Sequence, residues 1–403
     1  MSAPQQDIDT RRMLNPLFNN NKLKLGLFGV NVSNGCAITT IEGRHEVTWP
    51  TCLAIAQTAD RHGYEALVPV ARWRGFGGES NFNGTNFETY TWAAGLGQAT
   101  EDICVLTTSH VPTIHPIVAA KQATTVDHIT NGRFALNIVC GWFTPELEMF
   151  GVPQMEHDTR YDYAAERIEI MKLLWSREDE FDYDGKFLRV SKGFAMPKPL
   201  QKPFPALMNA GSSGKGRHFA AKYCDMAFVL LTSHDLEEGR PQIEGYRKLA
   251  REEYGRELQI WGNCYVVHGD TQKEAEAELN RYVVEKGDEA AVNLLTQVIG
   301  LQSPPLPAQV LDRVKFHLKA GWGGYPLVGT ADHIADQLGK LSAIGLDGIL
   351  LSWIDYLTGL ERFNQKVMPL LEQSGLRQAL LRRPAPPNTV GRSPEAKLAA
   401  DIA

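Results

Sequence analysis

Eight times along this chain a short apolar run of strand length is followed by a stretch with helical spacing. The runs are "KLKLGLFGV" (22–30), "EALVPV" (65–70), "ICVLTTS" (103–109), "RFALNIVCG" (133–141) and the segments 206–210, 225–230, 259–267 and 347–353. Helices are expected over 48–63, closed by Gly63, over 86–99, over "HPIVAAKQATTVDHIT", stopped by Asn131-Gly132, and over 160–175. Strands that alternate with helices in this way imply a parallel sheet and an α/β fold. Such a sheet either stays open and doubly wound or closes on itself. Eight units in roughly 350 residues, with no G-x-G-x-x-G after the first strand, favour the closed form, a (β/α)8 TIM barrel.

Three segments exceed a bare barrel. A Gly-rich loop (71–85) follows the second strand, a hairpin-like stretch with a Pro-rich exit (178–205) follows the fourth, and an insertion (287–325) precedes the eighth. The expected organisation is an N-terminal extension over 1–21, a single barrel over 22–372 and a C-terminal tail over 373–403. Beyond Arg377 that tail is rich in Pro, Arg and Ala, as a poorly packed segment or an arm onto a neighbouring subunit would be. A formal net charge of -6 argues against nucleic-acid and anionic-membrane partners, which need clustered Lys and Arg. The six cysteines form no CxxC pair, and four lie in apolar runs, as buried thiols of a reducing compartment do. "MSAPQQDIDTRRMLNP" lacks a signal-peptide core, and no run approaches about 18 apolar residues, so a soluble, cytoplasmic protein is expected.

In a barrel the active site forms at the C-terminal ends of the strands. The polar and aromatic groups there are Asn31, Arg72, Thr107, Thr108, His110, Asn137, Trp142, Asn209, Ser212, Ser213 and Trp353. They include no converging metal-ligand spacing, no G-x-S-x-G elbow and no strand-end lysine. Amides, hydroxyls and aromatics orient a planar, polar-edged molecule while a cofactor supplies the hard chemistry. "NAGSSGKGRHFAAKY" (209–223) turns into a helix near Ser213, which suits either an anion at the helix N-terminus or an ordinary serine-capped turn. Arg160 in "HDTRYDYAAER" suits either a bidentate phosphate contact or pairing with Asp158 or Glu166. Thr108 and Asn137, on adjacent strands, suit either the edge of a heterocycle with a small oxidant beside it or a structural polar pair. Trp142 reads as a core or lid aromatic, and His110 and His115 as acid–base candidates or plain polar loop residues. In "NIVCGWFTPELEMFG" two acids, Glu146 and Glu148, follow the strand exit.

Several long motifs in order carry a resemblance: "VARWRGFGG" (70–78), "TVDHITNGRFALNIVCGWFTPELEMFG", "HDTRYDYAAERIEIMKLLW", "PKPLQKPFPALMNAGSS" and "GGYPLVGTADHIADQL". From about residue 22 to 372 the chain resembles the bacterial-luciferase-like flavin monooxygenases, most of all the pyrimidine, dimethylsulfone and alkanesulfonate branches. The resemblance implies a barrel that takes reduced FMN from a separate NAD(P)H-dependent flavin reductase, uses O2 as co-substrate and assembles as a homodimer or homotetramer. It places flavin contacts at Val70, Ala71, Asn137, Glu146, Arg160, Tyr161 and Ser213. It places the catalytic O2 pocket at Thr108, Asn137 and Trp142, the set that chooses between a C4a- and an N5-peroxide on the flavin. Glu148 is then a surface acid. The implied substrate is a small heteroatom compound: a sulfone, a sulfonate, a cyclic amide or pyrimidine, or a halogenated aromatic. The loops expected to face it carry Trp49, Trp73, Arg72 and Arg74 and depart from the family pattern. Two alternatives share the barrel: an F420-dependent hydride-transfer enzyme and a non-catalytic flavin-binding protein.

Overall fold

Parallel strands covered on both faces are apolar throughout, without the alternation of half-exposed strands. The computed structural model describes residues 9–300 and 307–378. Its strands are β1 (Lys24–Phe28), β2 (Ala66–Val68), β3 (Cys104–His110), β4 (Phe134–Val139), β5 (Phe181–Asp184), β6 (Arg189–Gly193), β7 (Ala206–Asn209), β8 (Met226–Val229), β9 (Gln259–His268), β10 (Tyr325–Gly329) and β11 (Gly348–Ser352). Every residue of β1, β2, β3, β7 and β11 is buried. Eight strands pair in parallel in the order β1-β2-β3-β4-β7-β8-β9-β11, and β11 returns to β1. This is the closed (β/α)8 barrel.

Side chains alternate between two cores. Phe28, Val68, Leu106, Ala135, Met208, Trp261 and Leu350 fill the inside, while Leu25, Leu27, Leu67, Val105, Leu136 and Leu207 face the surrounding helices. The hairpin expected in 178–205 is the antiparallel pair β5–β6. The stretch 287–325 holds the helices Glu289–Gly300 and Ala308–Gly321, with 301–306 outside the described residues. It leads into β10, which adds to the end of β9: the start of β9 pairs with β8, and Cys264–His268 pairs with β10. All six cysteines are buried and free. Among the described residues no helix is long and apolar enough to cross a membrane.

The N-terminal rim is closed by acids standing one position before a strand. Glu65 accepts from Leu25 N (2.8 Å), Asp225 from Leu207 N (3.0 Å) and Asp347 from Ile260 N (2.7 Å), each on the strand that neighbours its own. Each acid also meets an arginine: Arg377 at 2.8 Å, Arg11 at 2.9 Å and Arg247 at 2.7 Å. The ends of the described chain therefore lock onto this rim. Asn15 donates to Phe134 O (2.9 Å), and Leu17 is fully buried under the barrel. Arg377 donates to Leu23 O (3.0 Å), and the tail from 379 onward lies outside the described residues.

The Arg377–Glu65 pair is 2% and 1% exposed, so removing one partner strands a buried charge. Arg377→Ala is expected to lose about 3–5 kcal/mol of stability, read as a drop in urea midpoint. A loss under about 1 kcal/mol, the figure for a surface pair, contradicts this assignment.

Candidate active site

In register, Thr108 lies opposite Asn137, and Asn137 opposite Met208. Thr108 Oγ1 donates to the Pro69 carbonyl (2.6 Å), which can only accept. Its lone pairs are then free for the Asn137 amide, whose Nδ2 donates at 3.1 Å. This chain fixes how Asn137 is turned. Its Oδ1 remains a buried acceptor with no hydrogen-bond partner in the protein. Such a group costs about 1–3 kcal/mol unless a ligand supplies a donor.

At one end of the cavity three elements converge. Arg160, on the helix His157–Ser176, is buried and donates to the Gly141 carbonyl at the exit of β4. Asn209 ties the exit of β7 to β4 by donating to Ile138 O (2.7 Å) and accepts from Gly211 N (2.8 Å). Ser213 caps the helix Gly214–Tyr223 by accepting from Gly216 N (3.1 Å). A Cβ on Gly211 or on Gly216 would come within 2.7 Å of the Tyr161 hydroxyl, so only glycine admits this approach. Burial pushes the Tyr161 hydroxyl's pKa up, which keeps it a proton donor.

The other end is walled by aromatics and one buried ion pair. Glu146 accepts from Trp73 N (2.6 Å), Arg74 N (3.3 Å) and Arg72 Nη1 (3.1 Å). The Arg72 guanidinium lies over Phe76 (4.7 Å), Trp142 (5.4 Å) and Phe143 (5.5 Å). Trp322 packs against Phe76 and Phe82, with ring centroids 5.9 and 5.6 Å away. His110 Nδ1 stands 3.9 Å from Glu146 Oε2. Burial pushes the His110 pKa down to about 3, and the Arg72 cation acts in the same direction. His110 is a neutral imidazole.

Val70, Ala71, Thr108, Asn137, Trp142, Arg160 and Tyr161 all line one cavity. Glu146 and Ser213 do not line it. Glu146 is held behind the wall with both oxygens engaged, and the Ser213 hydroxyl faces its own helix. Glu148 is exposed. Trp49 packs on Phe87 (5.9 Å), away from the cavity, while Trp73 is 38% exposed. His115 caps the helix Pro116–Ile129, and Asn31 is taken up by Val70. Phe28, Phe228 and Trp322 also line the cavity and are missing from the sequence reading. Only Trp322 carried a local signal, since it sits in "AGWGG" with a left-handed φ of 55° where a helix ends. No metal-binding group of His, Cys, Asp and Glu occurs among the described residues.

The luciferase-like monooxygenase family model matches residues 29–348. An FMNH2-dependent dimethylsulfone monooxygenase of Pseudomonas putida is 32% identical over 357 residues, 87% of this chain and 96% of that protein. A pyrimidine monooxygenase of Enterobacter cloacae subsp. cloacae is 29% identical, over 87% of this chain and 96% of its own. Among solved structures, a riboflavin lyase with modified FMN and riboflavin superposes with a TM-score of 0.78 at 22% identity, covering 90% of this chain and 94% of that one. An F420-dependent secondary alcohol dehydrogenase shares the fold at a TM-score of 0.63 and 16% identity, covering 88% of this chain and 99% of that one.

His110 carries a pH signature. Between pH 6.5 and about 3 the unfolded chain binds a proton at this residue and the folded chain does not, so stability falls as pH falls. Lowering pH from 7 to 5 is expected to cost the wild type roughly 2 kcal/mol more than His110→Phe, measured by urea unfolding at both pH values. Equal losses would mean that His110 charges in the folded state.

Proposed function

This chain belongs to the luciferase-like monooxygenase family, and from that premise we propose that it is a two-component enzyme. It takes reduced FMN from a separate flavin reductase and uses O2 to oxygenate a small heteroatom compound. The observation that carries this reading is the unpaired, buried Asn137 Oδ1 beside Thr108, at the centre of the cavity wall. A buried acceptor favours a ring that offers an N–H donor, and reduced flavin has a ring N–H that oxidised flavin lacks. The cradle of Arg160, Tyr161 and Gly211 fits a phosphate, because it combines a cation and a hydroxyl donor with a glycine that lets the Tyr161 hydroxyl close in on the cavity wall. The residues present fit FMN.

When bound, FMN supplies the electrons and the site at which O2 is activated. The chain supplies position and dryness. Arg160 and Tyr161 hold the phosphate, and the helix that begins after Ser213 adds the positive end of its dipole. The backbone at Val70 and Ala71 and the apolar strand ends flank the ring. Thr108 and Asn137, locked to Pro69, present one fixed acceptor to the reacting edge. Trp142 closes the wall against water, which protects the activated oxygen from loss as hydrogen peroxide. Glu146 serves from behind, by holding the loop after β2 in place. Turnover then depends on water exclusion and orientation more than on an acid–base pair.

Reduced FMN is expected to bind more tightly than oxidised FMN, and product formed under 18O2 is expected to carry one labelled oxygen. Unlabelled product would exclude oxygenation. Arg160→Ala should weaken FMN about 10–100-fold, the value of one or two charge-assisted hydrogen bonds, and leave riboflavin, which has no phosphate, unchanged. Asn137→Ala should still bind FMN but divert turnover from labelled product to hydrogen peroxide, and unchanged coupling would place the oxygen site elsewhere.

A further inference from the structure

We propose that Arg72 and Glu146 form an internally neutralised pair that makes the part of the cavity beside Arg72 select an uncharged substrate over an anion of similar size. This rests on the flavin reading only in that the cofactor fills the Arg160 end. Arg72 and Arg160 are the two arginines that line the cavity, and at first sight Arg72 invites a sulfonate or carboxylate. Its geometry argues otherwise. Nη1 is bound to Glu146 Oε2, both side chains are 3% or less exposed, and the guanidinium face is covered by Phe76, Trp142 and Phe143, while Nε is left as a buried donor that a neutral carbonyl or sulfone oxygen can take up without adding charge. Glu146 cannot turn away, because Trp73 N and Arg74 N hold its other oxygen.

Much of the remaining lining adds no charge. Phe28, Phe228, Trp322 and Leu350 are apolar, and His110, beside the Arg72–Glu146 pair, offers a neutral ring with one donor and one acceptor. An anion placed there would lose its hydration and find a cation whose charge Glu146 already balances. An uncharged amide or sulfone would lose only polar hydration, and it would meet aromatic faces with a neutral imidazole at their edge. The substrate class that fits is therefore sulfones, cyclic amides and uncharged aromatics, and not sulfonates or carboxylates.

Two matched pairs test this by calorimetric titration of FMN-loaded protein: dimethylsulfone against methanesulfonate, and benzamide against benzoate. The uncharged member of each pair is expected to bind at least about tenfold more tightly. A ratio under about threefold in either pair, a tighter anion, or no binding by the uncharged members overturns the inference. Glu146→Gln leaves Arg72 uncompensated and should move both ratios toward the anion by about fivefold or more, while Arg72→Gln should move them the other way. A merely structural role would weaken both members of a pair alike, so ratios unmoved in both variants also overturn it. FMN titration comes first: failure to bind FMN defeats the flavin reading, whereas bound FMN with an anion preferred defeats this inference alone.

Discussion

Closing eight parallel strands into a ring satisfies the backbone everywhere except at the two rims, and the rest of this structure follows from how each rim is treated. At the N-terminal rim, Glu65, Asp225 and Asp347 accept the first free N–H groups of neighbouring strands, and an arginine neutralises each acid. At the C-terminal rim, short side chains take up loose backbone groups from inside. Asn31 bridges both the N–H and the carbonyl of Val70, Thr108 takes the Pro69 carbonyl, and Asn209 takes the Ile138 carbonyl. Asn137 Oδ1 is a strand-end acceptor in the cavity wall left unpaired, as is the ring Nδ1 of His110. One rim is built for stability and the other keeps a vacancy for a ligand.

The loop after β2 lies over that second rim without regular structure of its own, so its position depends on anchors. Two buried carboxylates supply them. Glu146 accepts from Trp73 N and Arg74 N, and Asp288 accepts from Ser80 N at 2.7 Å. Phe76, between these points, and Phe82, just beyond the second, insert into an apolar cluster with Phe143, Leu295 and Leu318. A loop held by backbone N–H groups at both ends and by packed rings between them behaves as a wall, which is what a cavity that must exclude water requires.

The strands were legible in the sequence because parallel strands buried on both faces read as unbroken apolar runs. Thr108 and Asn137 were legible because they interrupt such runs near the C-terminal end, where a barrel places its chemistry. β10 was not. Its "YPLVG" is five residues with a proline, and it starts at the last residue of what read as an insertion. The pairing of Glu146 was invisible for a different reason: its partners Arg72 and Trp73 lie more than seventy positions away, and no local period encodes a carboxylate folded behind a loop. Glu146 therefore read as a cofactor contact, whereas the structure sets it behind the cavity wall, holding the loop. Residues 9–21 read as an extension by their polarity, yet Asn15 and Leu17 alone suffice to seat them under the barrel.

This difference in legibility has a chemical counterpart. The groups proposed to face the cofactor sit on strand ends or on the first turn of a long helix, where the barrel fixes backbone position to within a register step. The groups proposed to face the substrate, Arg72, Trp142 and Trp322, sit on connecting segments whose placement depends on long-range contacts with Glu146 and the Phe76 cluster. A change in a loop can then alter which molecule is admitted without disturbing Asn137 or Arg160. The reverse does not hold, since Asn137 is tied through Thr108 to the exit of β2, from which the loop departs. Reaction type is thus bound to the barrel itself, and substrate choice to the loop that two carboxylates hold against it.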